Sequence, residues 1–422
     1  METKKDIYKT SRVLYVIEAL AEYLSSLLVT STFLAAISKE IGLSDAWTGI
    51  VATFTSLGCG FQMLSLFINR KNGVKKVVIL GAILNELLFV FVYMLPLVEL
   101  SSTVKAALFV ICMMSGNVIL RTIYAPKISW YMALVDDAKR GIFTSIKEMI
   151  SLAGGLVFSL SMGYLSDRMK EAGNQRGFFI VGGLTLLGLM ILHLSTMIFS
   201  KEKPATEADG EKVGKRLKSL IKIRGFRKAV AVCMIWNIAN CIAVSFYGTY
   251  MLSELGFSLF YAQIMTSVYC VARVIASPFL GKFADRYSFA KLMVLCLSFA
   301  AASRICVCFT SAENGKWLFA LYEILLGIAG AGINSSLVNL VFDYTPAHLR
   351  SDALALENTL YGFGGFFASL LAGLVVTAIQ EGGNQVFGLS IYAQQLLSAV
   401  SAAILIGLAV YVALHLTKEK RV

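Results

Sequence analysis

The chain has 422 residues, 57% of them hydrophobic and only 15% charged, against about a quarter charged in an ordinary soluble domain. Its apolar residues come in blocks long enough to cross a hydrocarbon core of about 30 Å, which excludes a soluble globular fold. The net charge of +12 leaves nucleic acid or an anionic membrane surface as partners, and the placement of the basic residues decides between them.

In chain order, apolar runs at 13–37, 46–68, 77–98, 104–128, 142–166, 177–199, 228–252, 259–283, 290–310, 316–341, 352–379 and 386–414 predict twelve spans. The first carries Glu18 and Glu22, four residues apart and so on one helix face. Such a pair in a low dielectric either binds a proton or pairs with cations, for which Arg121 and Lys147 are the candidates. The third span holds Glu86, which, like Glu22, lies about 13 Å in from its cytoplasmic end at 1.5 Å per residue. In the fourth, Asn117, Arg121 and Tyr124 line up just before Pro126.

The stretch 201–227 is charged and separates two sets of six spans, with Lys212–Lys222 expected as a short amphipathic helix on the membrane surface. In the seventh span Trp236, Asn240, Ala243 and Tyr247 share a face; in the tenth, Glu323, Gly327, Gly330 and Asn334 do. Such faces serve a binding cavity or ordinary helix packing equally well. Glu18, Glu148 and Glu357 sit at shallower depth, and Arg304, about 9 Å from its outer end, is expected to snorkel. The eight cysteines and three histidines form no metal or disulfide framework, so no metal or other cofactor is expected.

Loop charge alternates. One set of loops holds Lys4, Lys5, Lys9, Arg12, Arg70, Lys71, Lys75, Lys76, Lys139, Arg140, the basic linker, Lys282, Arg286, Lys291, Arg350, Lys418, Lys420 and Arg421. The other holds only Lys39, Lys105, Arg168, Lys170, Arg176 and Lys316. By the positive-inside rule both termini and the linker are cytoplasmic, in a multi-pass protein of the cell membrane with no cleaved signal peptide. The positive charge is then topology facing lipid headgroups, and no nucleic-acid partner is expected.

The halves repeat. Glu171-Ala-Gly-Asn174-Gln175 matches Glu381-Gly-Gly-Asn384-Gln385, and the same step takes Arg140 to Arg350, Gly154-Gly155 to Gly364-Gly365, Ser159 to Ser369 and Gly163 to Gly373. Earlier in each half, Glu40-Ile-Gly42-Leu-Ser44 matches Glu254-Leu-Gly256-Phe-Ser258. The expected fold is an all-α membrane protein, twelve transmembrane helices in two pseudo-symmetric six-helix bundles: 1–200, the linker 201–227, and 228–422.

The loop Gly281-Lys-Phe-Ala-Asp285-Arg286-Tyr-Ser288-Phe-Ala-Lys291 resembles the G-x-x-A-D-R-x-G-R loop of the major facilitator superfamily, with Ser288 where glycine is usual. Its counterpart after the second span is degenerate, with Asn69 in place of the acid ahead of Arg70. The loops around Asp136, Asp137, Lys139, Arg140 and Gly141, and around Thr345, Pro346, Arg350 and Ser351, resemble the family's turn followed by Arg-Gly. The resemblance covers the whole chain. It implies that the first, fourth, seventh and tenth helices line a cavity, giving Glu22, Asn117, Arg121, Trp236, Asn240, Tyr247, Glu323 and Asn334 as substrate-binding candidates. It also implies gating roles for Asn69, Arg70, Arg140, Asp285, Arg286 and Arg350, with Asp285 latching onto a helix N-terminus near Gly141.

Glu22, Glu18 and Glu86 are the proton-coupling candidates. The fifth span lacks the Gly-Pro ending of the family's antiporters, which favours uptake over exchange. The expected function is secondary active transport of a small polar organic solute, proton-coupled, by a monomer in contact with membrane lipids. A drug or metabolite exporter of the same fold, and a transporter-like sensor or lipid scramblase without solute flux, are the alternatives. No G-x-x-x-x-G-K-[ST] run and no catalytic constellation is present, so ATP-driven transport and enzymatic activity are not expected.

Overall fold

A computed structural model describes residues 7–68, 73–135, 140–203, 213–346, 349–386 and 389–417. Among these, ten helices are long and apolar enough to cross a membrane, and a bent pair makes an eleventh. The bent pair is α1 (Lys9–Leu28) and α2 (Ser31–Glu40), meeting at 43° within the expected first span. The break is local chemistry: Thr30 Oγ1 donates back to the Ser26 carbonyl at 2.9 Å, and Ser31 takes φ 51°.

The expected second span forms as short pieces, α3 (Asp45–Ala52), α4 (Phe54–Gly60) and a 3-10 stretch Gln62–Phe67. Thr53 interrupts the first two, its hydroxyl donating to the Ile50 carbonyl at 2.7 Å. Beyond it run α5 (Lys75–Met94), α6 (Ser102–Met132), α7 (Arg140–Glu171) and α8 (Gln175–Phe199). The linker contributes α9 (Val213–Lys222) where the amphipathic helix is expected. The remaining spans are α10 (Arg224–Ala243), carried on by the short α11 (Tyr247–Thr249), then α12 (Leu259–Arg286), α13 (Phe289–Cys308), α14 (Gly315–Asp343), α15 (Arg350–Glu381) and α16 (Ala393–Tyr411). A two-residue antiparallel pairing, β1 (Gln385–Val386) with β2 (Leu389–Ser390), tightens the loop before α16.

The sequence repeat is a repeat of geometry. Gly42 and Gly256 have φ +80° and +66°, and the serines two residues on cap the next helices: Ser44 Oγ accepts from Trp47 N and Ser258 Oγ from Tyr261 N. Gly173 and Gly383 also match, at φ +68° and +71°, in the loops that end α7 and α15. Between helices the register holds as well. A Cβ on Gly154 would meet Leu20 and one on Gly155 would meet Tyr23; on Gly364 and Gly365 it would meet Met234 and Asn237. The step from Glu40 to Glu254 is the step from Leu20 to Met234 and from Tyr23 to Asn237. The glycine pair therefore lets α7 lie close on α1, and α15 on α10, in one register.

The chain divides into two compact units, Met1–Gly42 with Phe61–Asp209, and Leu43–Gly60 with Gly210–Val422. In the first, α5 packs on α6, and α8 on α1 and α5. In the second, α14 packs on α12 and α13, α16 on α13, and α10 and α4 on α15. The segment Leu43–Gly60 joins the second unit through backbone contact: a Cβ on Gly362 would collide with the Ser56 carbonyl oxygen. Helix α9 is fixed in that unit by Leu220, which is fully buried, and by Arg216 Nε at 2.9 Å from Asp352 Oδ2. Helix α12 is the least covered of the ten long spans, with 11% of its apolar window buried, and presents Val271, Val274, Ile275 and Phe279 outward.

Candidate functional site

Four helices of the first unit bring ionisable groups together away from water: Glu18 and Glu22 from α1, Glu86 from α5, Lys127 from α6 and His193 from α8. Lys127 Nζ sits 2.9 Å from Glu18 Oε1 and 2.5 Å from Glu22 Oε2. His193 bridges two carboxylates, with Nε2 at 2.8 Å from Glu18 Oε1 and Nδ1 against Glu86 Oε1. The side chains of Glu18, Lys127 and His193 are 0, 2 and 3% exposed, whereas Glu22 is 23% exposed and is the member in touch with solvent. Above them Tyr15 stacks on Tyr131, which stacks on Trp130, closing the end of the cluster toward the helix termini.

The arrangement fixes a proton count. A neutral imidazole has one donor and one acceptor, yet both ring nitrogens of His193 face carboxylate oxygens. Either the ring is an imidazolium between two carboxylates, or one of the two carboxyls is protonated and donates. In both forms Glu18, His193 and Glu86 together hold one proton beyond the neutral ring and two carboxylates. Glu18 Oε2 and Glu86 Oε2 have no hydrogen-bond partner, so the cluster also has acceptor capacity to spare.

The cations that pair with Glu18 and Glu22 are therefore not the ones expected. Lys147 lies 5.1 Å over the Tyr15 ring and Arg121 5.8 Å over the Tyr124 ring, while Lys127 takes the carboxylates. Helix α6 continues through Pro126 to Met132, which carries Lys127 inside the span instead of at its edge. Of the other residues singled out in α6, Asn117 is buried and donates to the Met113 carbonyl of its own helix.

In the second unit the expected face divides. Trp236 belongs to the apolar core, packed with residues of α13, α14 and α16. Tyr247 is buried, its hydroxyl 2.5 Å from Ser398 Oγ. Asn240 is half-buried, with Oδ1 accepting from Arg304 Nη2 at 3.0 Å. Glu323 is half-buried and Asn334 exposed. Arg304 does not snorkel; it is fully buried, turned inward to Asn240 and to the faces of Tyr322 and Tyr247 at 5.4 and 5.9 Å. Among the gating residues, Arg286 lies 5.5 Å over the Tyr287 ring and Arg350 5.0 Å over the Phe342 ring, both exposed. Asn69 and Arg70 lie outside the described residues, as do the side chains of Arg140 and Asp285.

Residues 229–421 match the family model of the Major Facilitator Superfamily. Solved structures carry the likeness over the whole chain. A point mutant of the nucleoside transporter NupG superposes with a TM-score of 0.74 at 14% identity, covering 97% of this chain and 100% of its own. The D-xylose-proton symporter gives 0.71 at 15%, covering 94% and 97%, and the E. coli fucose:proton symporter FucP, also a point mutant, 0.54 at 15%, covering 96% and 98%. The second half of the chain is thus similar to the Major Facilitator Superfamily, and the whole chain shares the fold of these solved transporters. Its long apolar helices make it a multi-pass membrane protein. None of the curated proteins matches it by sequence.

Proposed function

We propose that the chain takes up a small polar organic solute by proton-coupled symport, with 1–200 and 228–422 as the moving halves and 201–227 as the cytoplasmic linker. The observation that carries the proposal is the cluster in the first unit, with three carboxylates, one lysine and one histidine that hold a proton in common. Ionisable groups at membrane depth cost about 2.5–3.5 kcal/mol each on insertion scales, so five on four helices argue for use beyond packing.

In this reading Glu22 is the port. It alone is part-exposed, and it shares Lys127 with Glu18. A proton arriving on Glu22 frees Lys127 to pair with Glu18 alone, which in turn weakens the hold of Glu18 on His193. The charge on one helix is thereby coupled to contacts with α5, α6 and α8, the kind of differential interaction a two-state carrier needs. Glu18 and Glu86 complete the proton store. Arg121, Asn240, Glu323 and Asn334 are proposed as substrate contacts, since none of them is sealed from solvent. The nucleoside, xylose and fucose carriers of the same fold are consistent with a polar organic solute.

We further propose that the protein resides in the cell membrane as a monomer with both termini cytoplasmic, as the loop charge asymmetry implies. The test is uptake of labelled sugars, nucleosides and organic acids by proteoliposomes under an imposed proton gradient. At least one solute should accumulate, and a protonophore should abolish the accumulation. Glu22→Gln should lose accumulation and keep counterflow, which needs only the loaded carrier to reorient. Accumulation that ignores the protonophore would refute the coupling.

A further inference from the structure

The second unit holds a buried cation whose counter-charge is missing. Arg304, on α13, is 0% exposed, and guanidinium stays protonated in any protein environment. Nη1 donates to Ser303 Oγ at 3.2 Å and Nη2 to Asn240 Oδ1 at 3.0 Å, both neutral acceptors, and Nε has no partner. Among the described residues no carboxylate oxygen lies within 4.0 Å of it. Glu323, on the adjoining α14, feels its charge but stands beyond ion-pair distance. A desolvated charge met only by neutral dipoles is costly, and proteins normally pair it.

The geometry of the missing partner is specific. Nε and Nη2 form one edge of the planar fork, the edge that a carboxylate engages with both oxygens. Tyr322 and Tyr247 stand together on one side of the guanidinium, 5.4 and 5.9 Å from it, with their ring centroids 5.3 Å apart. On that edge Nε is free, and Nη2 is held by the half-buried amide of Asn240. One oxygen of an incoming carboxylate would displace the Asn240 oxygen while the other satisfies Nε.

We infer that the Nε–Nη2 edge of Arg304, with Asn240 as its displaceable placeholder, binds the carboxylate of an organic acid carried as substrate. This deepens the transport reading and rests on it. The substrate class becomes a carboxylate-bearing polar solute, and Glu323 becomes a competing negative charge that limits its affinity.

The test uses the purified full-length chain and follows thermal unfolding with succinate, benzoate and galacturonate, each beside its neutral counterpart succinamide, benzamide or galactose. Sulfate and phosphate form the inorganic arm. At least one organic acid should raise the melting temperature where its neutral counterpart does not, since a ligand that binds only the folded state stabilises it. Arg304→Gln should remove that shift. Arg304→Lys should weaken binding about tenfold, because an ammonium cannot present the fork. Glu323→Gln should tighten it.

Stabilisation by sulfate or phosphate alone would overturn the assignment, as would acids that bind no better than their neutral counterparts. Acid binding unchanged in Arg304→Gln would overturn it too. Should that variant fail to fold, Arg304→Lys and Glu323→Gln decide the matter: unchanged acid affinity in both refutes the proposal. The outcome is separable from that of the transport reading. Proton-driven uptake of a neutral solute by the Arg304→Lys variant at the wild-type rate, with no acid competing, would sink this inference and leave symport standing. Arg304-dependent acid binding without any flux would do the reverse.

Discussion

The two halves share a scaffold and differ in the charges they enclose. Gly154 and Gly155 on α7 receive Leu20 and Tyr23 of α1, and Gly364 and Gly365 on α15 receive Met234 and Asn237 of α10, residue for residue in one register. On that scaffold α1 carries Glu18 and Glu22, whereas α10 carries Val232 and Trp236 at the matched positions. The first half therefore encloses an excess of carboxylates that must share a lysine and a proton. The second encloses, besides buried acids such as Glu357, a guanidinium that meets an amide and two phenol rings. A duplicated helix bundle keeps what backbone packing demands, namely glycines, caps and turns. Ionisable groups are free to diverge because they depend on only a few contacts.

Lys127→Met should do the most damage to the first half, since it fills the same volume and removes the only ammonium of the cluster. Glu18 would be left as a buried charge without its ammonium beside the part-exposed Glu22, and breaking a buried pair from one side costs about 3–5 kcal/mol. A large fall in melting temperature or loss of folded protein is expected. The double variant Lys127→Met with Glu22→Gln should recover part of it. A melting temperature unchanged in Lys127→Met would mean that the carboxylates do not depend on it.

The shared scaffold has a matched test. Gly155→Ala and Gly365→Ala each place a Cβ inside existing side chains, against Tyr23 Cε1 in one half and Asn237 Nδ2 in the other. Overpacking of this kind costs about 1–3 kcal/mol. The two variants should be destabilised to similar extents by thermal unfolding. A strongly unequal pair would show that the repeat is one of sequence only.

How much of this is legible in the sequence follows from the range of the contacts involved. Spans, the amphipathic α9 and the repeat depend on local composition and periodicity, and the chain displays them openly. The glycine register is visible as matched pairs, although only the folded chain shows which side chains they admit. His193 and Lys127 are not legible. Each is a single residue in an apolar run whose partners lie on other helices, and Pro126 reads in sequence as an end to the helix that in fact carries Lys127 inward. Depth counting misplaces Arg304 for a related reason. Distance from the end of a span measures how far a side chain would have to reach, and says nothing of an inward amide and two rings that hold it.

The mildest change is the most discriminating. Glu86→Gln keeps the shape of the side chain, and its amide oxygen still accepts from His193 Nδ1, so little hydrogen bonding is lost. The cluster meanwhile sheds one negative charge, and with His193 protonated it becomes balanced: Glu18 and Glu22 against Lys127 and the imidazolium. Stability should thus change by less than about 1 kcal/mol. Function should not be spared. Without the Glu86 carboxylate the imidazolium loses one of its two counter-charges and the cluster holds its proton less firmly, so the carrier should exchange solute across the membrane in counterflow yet fail to accumulate it against a gradient. A melting temperature near that of the wild type together with lost accumulation would assign the proton store to Glu18, His193 and Glu86. A large drop in melting temperature would instead make Glu86 a strut between α5 and α8, and the proton count of the cluster would then be a consequence of packing.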